Sequence, residues 1–308
     1  MFQHIEHPTE MNRKKLSFWI EAMRLRTLPV SVAGVVMACG LALMSGGFRI
    51  IPSLLCLLFA VAAQIASNFA NEYYDYRDGL DAPGREGPRR GVTEGDISPR
   101  AMLTATYLTL GTACAIGCLL IAFGGWILLP IGIVIALGAM AYSTGPYPLS
   151  RHGLGEVAVI AFFGIVPVTL TYYVQTLAWP TAVWLSGIAV GLMGANVLII
   201  NNYRDADDDA KVNKRTLAVI LGRRAVRLLY MLNGLIAVGL MLPLWVKMEP
   251  LGMAIPVVYL AAHCGIWSVM PHRKGHALTP LLAATSMLML FYCAGFAVAA
   301  SICGVQAL

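Results

Sequence analysis

Charge is scarce in this chain. Lys, Arg, Asp and Glu together make up 12% of its 308 residues, where a soluble domain of that length carries about 25%. The hydrophobic fraction is 58% and the mean hydropathy +0.71. Apolar runs of about 20 residues, enough to cross a bilayer, recur from end to end. These features exclude a soluble enzyme and predict an all-α, polytopic bundle of about nine membrane-spanning helices in a single domain over 1–308. The 30 Gly and 16 Pro do not oppose this, because neighbouring helices re-satisfy the backbone groups that such residues free.

Other absences narrow the chemistry. Seven cysteines are scattered through apolar segments with no CxxC pair, so they are expected to be small packing residues. No GxxxxGK[ST] loop is present, which removes a nucleotide P-loop. The DGxxAR signature of CDP-alcohol transferases is missing too. Nothing points to a nucleic acid or to an obligate protein partner. A polar start followed by an apolar run raises the question of a signal peptide. Arg24 and Arg26 interrupt the place where its apolar core would begin, so the first span is expected to be retained.

What is present is strongly organised. Hydropathy predicts helices over about 16–45, 50–74, 101–123, 126–142, 154–175, 180–202, 224–246, 251–270 and 278–305. Short turns alternate with longer polar loops at 75–100, 143–153, 203–223 and 271–277, and residues 1–15 form a polar tail. Of the 22 Lys and Arg, all but Arg49 and Lys247 lie in the tail, in the long loops or at their margins. The positive-inside rule then predicts a cytoplasmic N-terminus, cytoplasmic long loops and an outside C-terminus. Of the 16 acids, all but Glu249 fall on the same side. No topological rule requires that, so this face needs both signs for another reason.

The acids form two groups with one grammar. In "NEYYDYRDGLD" (71–81), Asn68, Asn71, Glu72, Asp75 and Asp78 share one helical face, with Asp81 beyond Gly79. In "NNYRDADDDAKVNKRT" (201–216), Asn201, Asn202, Asp205 and Asp209 share another. Carboxylates at such spacings repel one another, Asp is a poor helix former, and a helix C-terminus disfavours anions. Three unfavourable terms, met twice, imply a compensating cation. Carboxylate and amide oxygens suit Mg²⁺, usually bridged to a phosphate, and no His in either group supports zinc. Arg77, Arg85, Arg89, Arg90, Lys214 and Arg215 stand nearby to bind phosphate oxygens. A Mg²⁺–diphosphate site at a membrane face is expected, its substrate's organic part reaching into the bundle.

These segments carry a resemblance. The chain resembles the UbiA-type intramembrane prenyltransferases, and among them the 1,4-dihydroxy-2-naphthoate branch of menaquinone biosynthesis. The matching pieces are "RLRTLPVSVAG" (24–34), "QIASNFANEYYDYRDGLD" (64–81), "GPRRGVTEGDIS" (87–98), "YSTGPYPLSRHGLGE" (142–156) and "NNYRDADDDAKVNKRTLAVILG" (201–222). The GPxRG loop and GLGE favour the naphthoate branch over the 4-hydroxybenzoate branch.

The resemblance implies transfer of a polyprenyl group from its diphosphate to 1,4-dihydroxy-2-naphthoate with loss of CO₂, at the cytoplasmic face of the cell membrane. It implies Asp75, Asp78, Asp205 and Asp209 as catalytic. Mg²⁺ would be drawn from Glu72, Asp75, Asp78, Asp81, Asp205 and Asp209. Substrate contacts would come from Arg24, Asn68, Asn71, Tyr142, Asn201, Asn202, Arg77, Arg151, Lys214 and Arg215, with Arg24 facing the acceptor's carboxylate. Two departures stand out. The usual Asn-Asp opening reads Asn71-Glu72, which favours Asp75 as the direct ligand, and Arg151 replaces an expected Tyr. Glu156, near the start of the fifth helix, suits a helix N-terminus or a base-orienting role. A different aromatic acceptor such as 4-hydroxybenzoate is the alternative. A cation transporter is a rival of another class, opposed by bases among the acids and by acids gathered at one face rather than at midplane.

Overall fold

The computed structural model describes residues 16–81, 87, 89–248 and 252–304. The described residues form a bundle of α1 (Leu28–Met44), α2 (Ile50–Arg77), α3 (Pro99–Gly124), α4 (Leu128–Ala141), α5 (Gly155–Thr176), α6 (Thr181–Lys211), α7 (Leu217–Val246), α8 (Ala254–Val269) and α9 (Thr279–Cys303). Eight spans are long and apolar enough to cross a membrane, the first of them running from Leu16 to Met44. Among the described residues α4, at 14 residues, falls short of that length even with its flanking turns. The all-α membrane architecture expected from hydropathy is therefore present.

Three elements depart from expectation. The first span is not one continuous helix. It is helical over 16–22 and again from Leu28, and Arg24 between them adopts φ 53°, ψ 55° in the left-handed region. The Arg24 carbonyl accepts from both the backbone N–H and the hydroxyl of Thr27 at 2.9 Å, which holds the break. Second, α6 continues nine residues past Asn202, into the predicted 203–223 loop. Each acid of that last stretch is offset by a base: Arg204 on Asp205, Arg223 on Asp207, Lys211 on Asp208 and Lys214 near Asp209. Third, α7 begins at Leu217 rather than 224 and kinks at Gly222 (φ 80°, ψ 160°).

The end of α2 is also set by local chemistry. Gly79 takes φ 68°, the Leu80 N–H donates to the Asp75 carbonyl and the Gly79 N–H to the Tyr76 carbonyl. This is a Schellman stop, and it fixes Asp75 in the final helical turn with its side chain 0% exposed. Farther along, α5 contains a π-helical turn over Ile160–Ile165. There Gly164 meets Gly187 and Gly191 of α6 so closely that a Cβ on Gly164 would lie 2.3 Å from the Gly191 Cα. A small-xxx-small pair of this kind lets two membrane helices pack backbone to backbone. It brings the start of α5 against the polar end of α6.

The core lies between α1, α5, α6, α7 and α9. Trp245, Tyr292 and Phe296 pack edge to face at its far end, and the Trp245 Nε1–H donates to the Tyr292 hydroxyl at 2.6 Å. By contrast α4 buries only Leu128, so that corner of the bundle is open.

Candidate active site

The two acidic groups, distant in the chain, meet at one end of the bundle. Asp75 is the centre of the cluster. Its carboxylate lies 3.2 Å from Lys214 Nζ, 3.5 Å from Arg151 Nη2 and 4.0 Å from Arg90 Nη2, and accepts from Asn71 Nδ2 at 3.2 Å. Lys214 Nζ is also 4.0 Å from Asp209 Oδ1, so one ammonium links the α2 group to the α6 group. The Asp209 carbonyl accepts from the Lys214 backbone N–H at 2.8 Å, which anchors the turn carrying that lysine.

The remaining expected residues are placed around this centre. Arg151 Nη1 reaches Asp78 Oδ2 at 2.6 Å and donates through Nη2 to the Ser143 carbonyl. The Arg77 hydrogen bond to Asp78, helped by Arg151, holds the Asp78 carboxyl below the usual carboxylate range. Asp81 pairs with Arg90 Nε at 3.2 Å. Asn71 Oδ1 accepts from Arg24 Nη2 at 2.8 Å and from Arg90 Nη2 at 3.4 Å. Asn68 Nδ2 donates to the Met23 carbonyl beside the left-handed Arg24. On α6, Arg204 grips Asp205 through two bonds of 2.6 and 3.0 Å and donates to Asn201 Oδ1 at 2.8 Å.

Three of these side chains sit apart from the cluster around Asp75. Glu72 is buried, and its Oε1 accepts from the Val92 backbone N–H at 3.1 Å, so it ties residues 89–98 to α2. Arg77 is half exposed, paired with Asp78 and laid over the Tyr74 ring. Arg215 is exposed and its backbone N–H donates to the Arg151 carbonyl, which docks one loop on another. Arg85 lies outside the described residues. Among the described residues no three His, Cys, Asp or Glu side chains converge as a metal-binding group, because bases stand between the acids.

Arg90 and Arg204 are more central than the sequence suggests. Arg90 had a signal in the GPRRG loop. Arg204 had a subtler one, a base embedded in an acidic helical run, where it folds back on its own neighbour.

Two cavities meet here. The polar one, about 570 Å³, is lined by Arg24, Asn68, Asn71, Asn202, Asp205 and Lys214 among others. The apolar one, about 420 Å³, lies between α2, α3, α4 and α5. Gln64, Ser67, Tyr142 and Phe163 line both, so charged head space leads into tail space. Tyr142 stands at the junction.

Comparison with known proteins shows the family and the fold. Residues 32–292 match the UbiA prenyltransferase family. The chain belongs to that family. A 1,4-dihydroxy-2-naphthoate octaprenyltransferase of Mycobacterium tuberculosis is 35% identical over 277 residues, covering 89% of this chain and 93% of the relative. The Haemophilus influenzae protein of the same name is 37% identical over 226 residues, covering 69% and 72%. Among solved structures, a UbiA homologue from Archaeoglobus fulgidus bound to GPP and Mg²⁺ superposes with a TM-score of 0.64 at 18% identity, over 91% of this chain and 99% of that one. The UbiA fold thus covers nearly all of the described bundle.

Proposed function

We propose that this UbiA-family protein transfers a polyprenyl group from its diphosphate to 1,4-dihydroxy-2-naphthoate, with loss of CO₂, in menaquinone biosynthesis. The observation that carries the reading is the junction of a base-lined polar cavity with an apolar one through Gln64, Ser67, Tyr142 and Phe163. A polyprenyl diphosphate has that shape of polarity, with an anionic head and a tail at home in lipid. The names of these relatives support the naphthoate acceptor.

Mg²⁺ is the proposed metal. Asp75, Asp78, Asp81, Asp205 and Asp209, with Asn71 and Asn201, offer hard oxygen donors. A cation already stands between Asp75 and Asp209 in the form of Lys214 Nζ, so the locus accepts positive charge. When bound, the metal would neutralise charge growing on the departing diphosphate. The chain's own groups do the rest. Arg90, Arg151 and Lys214 are placed to turn from carboxylates to phosphate oxygens. Arg24, held by Asn71, faces the acceptor's carboxylate. Residues 89–98, tied to α2 by Glu72, border the cavity through Arg89 and Arg90 and would help keep water from the allylic cation. The site is proposed to face the cytoplasm of the cell membrane, which the distribution of Lys and Arg supports.

The test is an assay of purified protein in detergent with a polyprenyl diphosphate, Mg²⁺ and either naphthoate or 4-hydroxybenzoate. Metal-dependent prenylation of the naphthoate is expected. Prenylation of 4-hydroxybenzoate alone would overturn the acceptor, and no product with any acceptor would overturn the reaction.

A further inference from the structure

One carboxylate in the polar cavity is not accounted for by the diphosphate or by a metal. Glu156 sits in the first turn of α5, 7% exposed, on the cavity lining. Its Oε1 accepts from Asn202 Nδ2 at 2.9 Å. Its Oε2 has no hydrogen-bond partner, and among the described residues no Lys or Arg pairs with it. A buried carboxylate oxygen without a donor is unfavourable unless a ligand or a water supplies one.

The position is rigidly built. The Gly164 approach to Gly187 and Gly191 sets α5 against α6, and the Asn202 bond then fixes the plane of the carboxylate. The Tyr142 hydroxyl stands beside the same turn, 3.7 Å from where a Cβ on Gly155 would lie. Arg24 lines the same cavity from the N-terminal segment. The cavity therefore offers a cation for an anionic substituent and, on another wall, an acceptor oxygen awaiting a donor.

An aromatic acid with a free hydroxyl presents that complement. In 1,4-dihydroxy-2-naphthoate the 1-hydroxyl is adjacent to the carboxylate and bonds to it internally. The 4-hydroxyl has no internal partner. We propose that Glu156 is the specificity-determining residue for the acceptor: Oε2 accepts the hydrogen bond of the 4-hydroxyl while Arg24 holds the carboxylate. Such a bond also pushes electron density from oxygen into the ring, which favours attack on an allylic cation. This rests on the naphthoate reading above.

A binding cycle tests it. Dissociation constants are measured without oxygen for 1,4-dihydroxy-2-naphthoate and for 1-hydroxy-2-naphthoate, on the wild type and on Glu156→Gln in detergent. A site built to pair a hydroxyl rejects an analogue without it, so the wild type should prefer the dihydroxy compound by about tenfold or more. In Glu156→Gln the preference should fall to about twofold, while affinity for 1-hydroxy-2-naphthoate and for the prenyl diphosphate stays within about threefold. Asn202→Ala, which frees the carboxylate, should also lower the ratio.

A ratio that survives in Glu156→Gln overturns the proposal, as does equal binding of both compounds by the wild type. If the variants do not fold, the wild type alone decides through 1-hydroxy-4-methoxy-2-naphthoate, which cannot donate from position 4. Binding of that ether as tight as the dihydroxy compound overturns the proposal. Wild type that turns over the naphthoate without discriminating sinks only the Glu156 assignment. Wild type that binds neither naphthoate sinks the acceptor reading and this proposal with it.

Discussion

At the scale of single residues, the site is held closed by its own bases. Asp75 is fully buried among Lys214, Arg151 and Arg90, and Asp205 is gripped by Arg204. Removing one partner of a buried pair strands the other at a cost of about 3–5 kcal/mol, so alanine at either position mixes lost chemistry with lost stability. Asparagine keeps the shape and is the cleaner variant. Asp75→Asn and Asp205→Asn should each lower turnover at least about 100-fold, about 2.7 kcal/mol of barrier, with detergent unfolding midpoints still measurable. Activity within a few-fold of wild type would remove that carboxylate from the catalytic set.

Lys214 makes a second prediction at this scale. If its ammonium stands where a metal later sits, Lys214→Met should unfold more easily in EDTA, by on the order of 2 kcal/mol. Adding Mg²⁺ with diphosphate should then raise its midpoint more than that of the wild type. Thermal unfolding with and without metal measures both; an equal rise in the two proteins would place the metal elsewhere. The acidic faces themselves were legible in the sequence, because spacing of three and four is a property of the helix alone. The roles of Arg151 and Arg204 were not. A guanidinium on a long stem chooses its partner after the helices have packed, and Arg151 reaches Asp78 from 73 positions away.

At the scale of elements, hydropathy found the helices and most of their ends, and missed the end of α6, the start of α7 and the break at Arg24. The extension of α6 to Lys211 was hidden because charged residues end an apolar run without ending a helix. Pairing across to Arg223 and Lys214 sustains it instead. The break at Arg24 was hidden for the opposite reason, since nothing in an Arg announces a left-handed backbone. The α5–α6 contact is the element on which the site most depends. Gly164→Ala puts a methyl against the Gly191 backbone at 2.3 Å and should separate Glu156 from Asn202. Turnover should fall at least about tenfold, with stability lowered by about 1–3 kcal/mol. Gly111→Ala, whose Cβ meets nothing within 4 Å, is the control and should behave as wild type. Equal behaviour of the two would show that the close approach is dispensable.

At the scale of the whole molecule, the charge asymmetry and the nine helices, one of them short, were written in the order of apolar and charged residues, and the family motifs carried the rest. The junction of the two cavities was not, because it depends on how five helices lean together. That junction predicts a dependence on tail length. Gly132 lines the apolar cavity with open space around it, so Gly132→Trp should plug the cavity without disturbing the bundle. Turnover with a long polyprenyl diphosphate should fall at least about tenfold, while a donor of one or two isoprene units is spared. Equal loss with both donors would mean that the tail leaves by another route.

The shortness of α4 has a further consequence. Its 14 residues span about 21 Å at 1.5 Å per residue, against about 30 Å for the hydrocarbon core of a bilayer. Lipid beside the open corner must thin or crowd to meet it, at a fraction of a kcal/mol for each ångström of mismatch. Turnover is therefore expected to depend on bilayer thickness. Reconstituted into bilayers of increasing acyl length, turnover should peak in the thinner ones, and a flat response across the series would show that α4 feels no strain from its lipid.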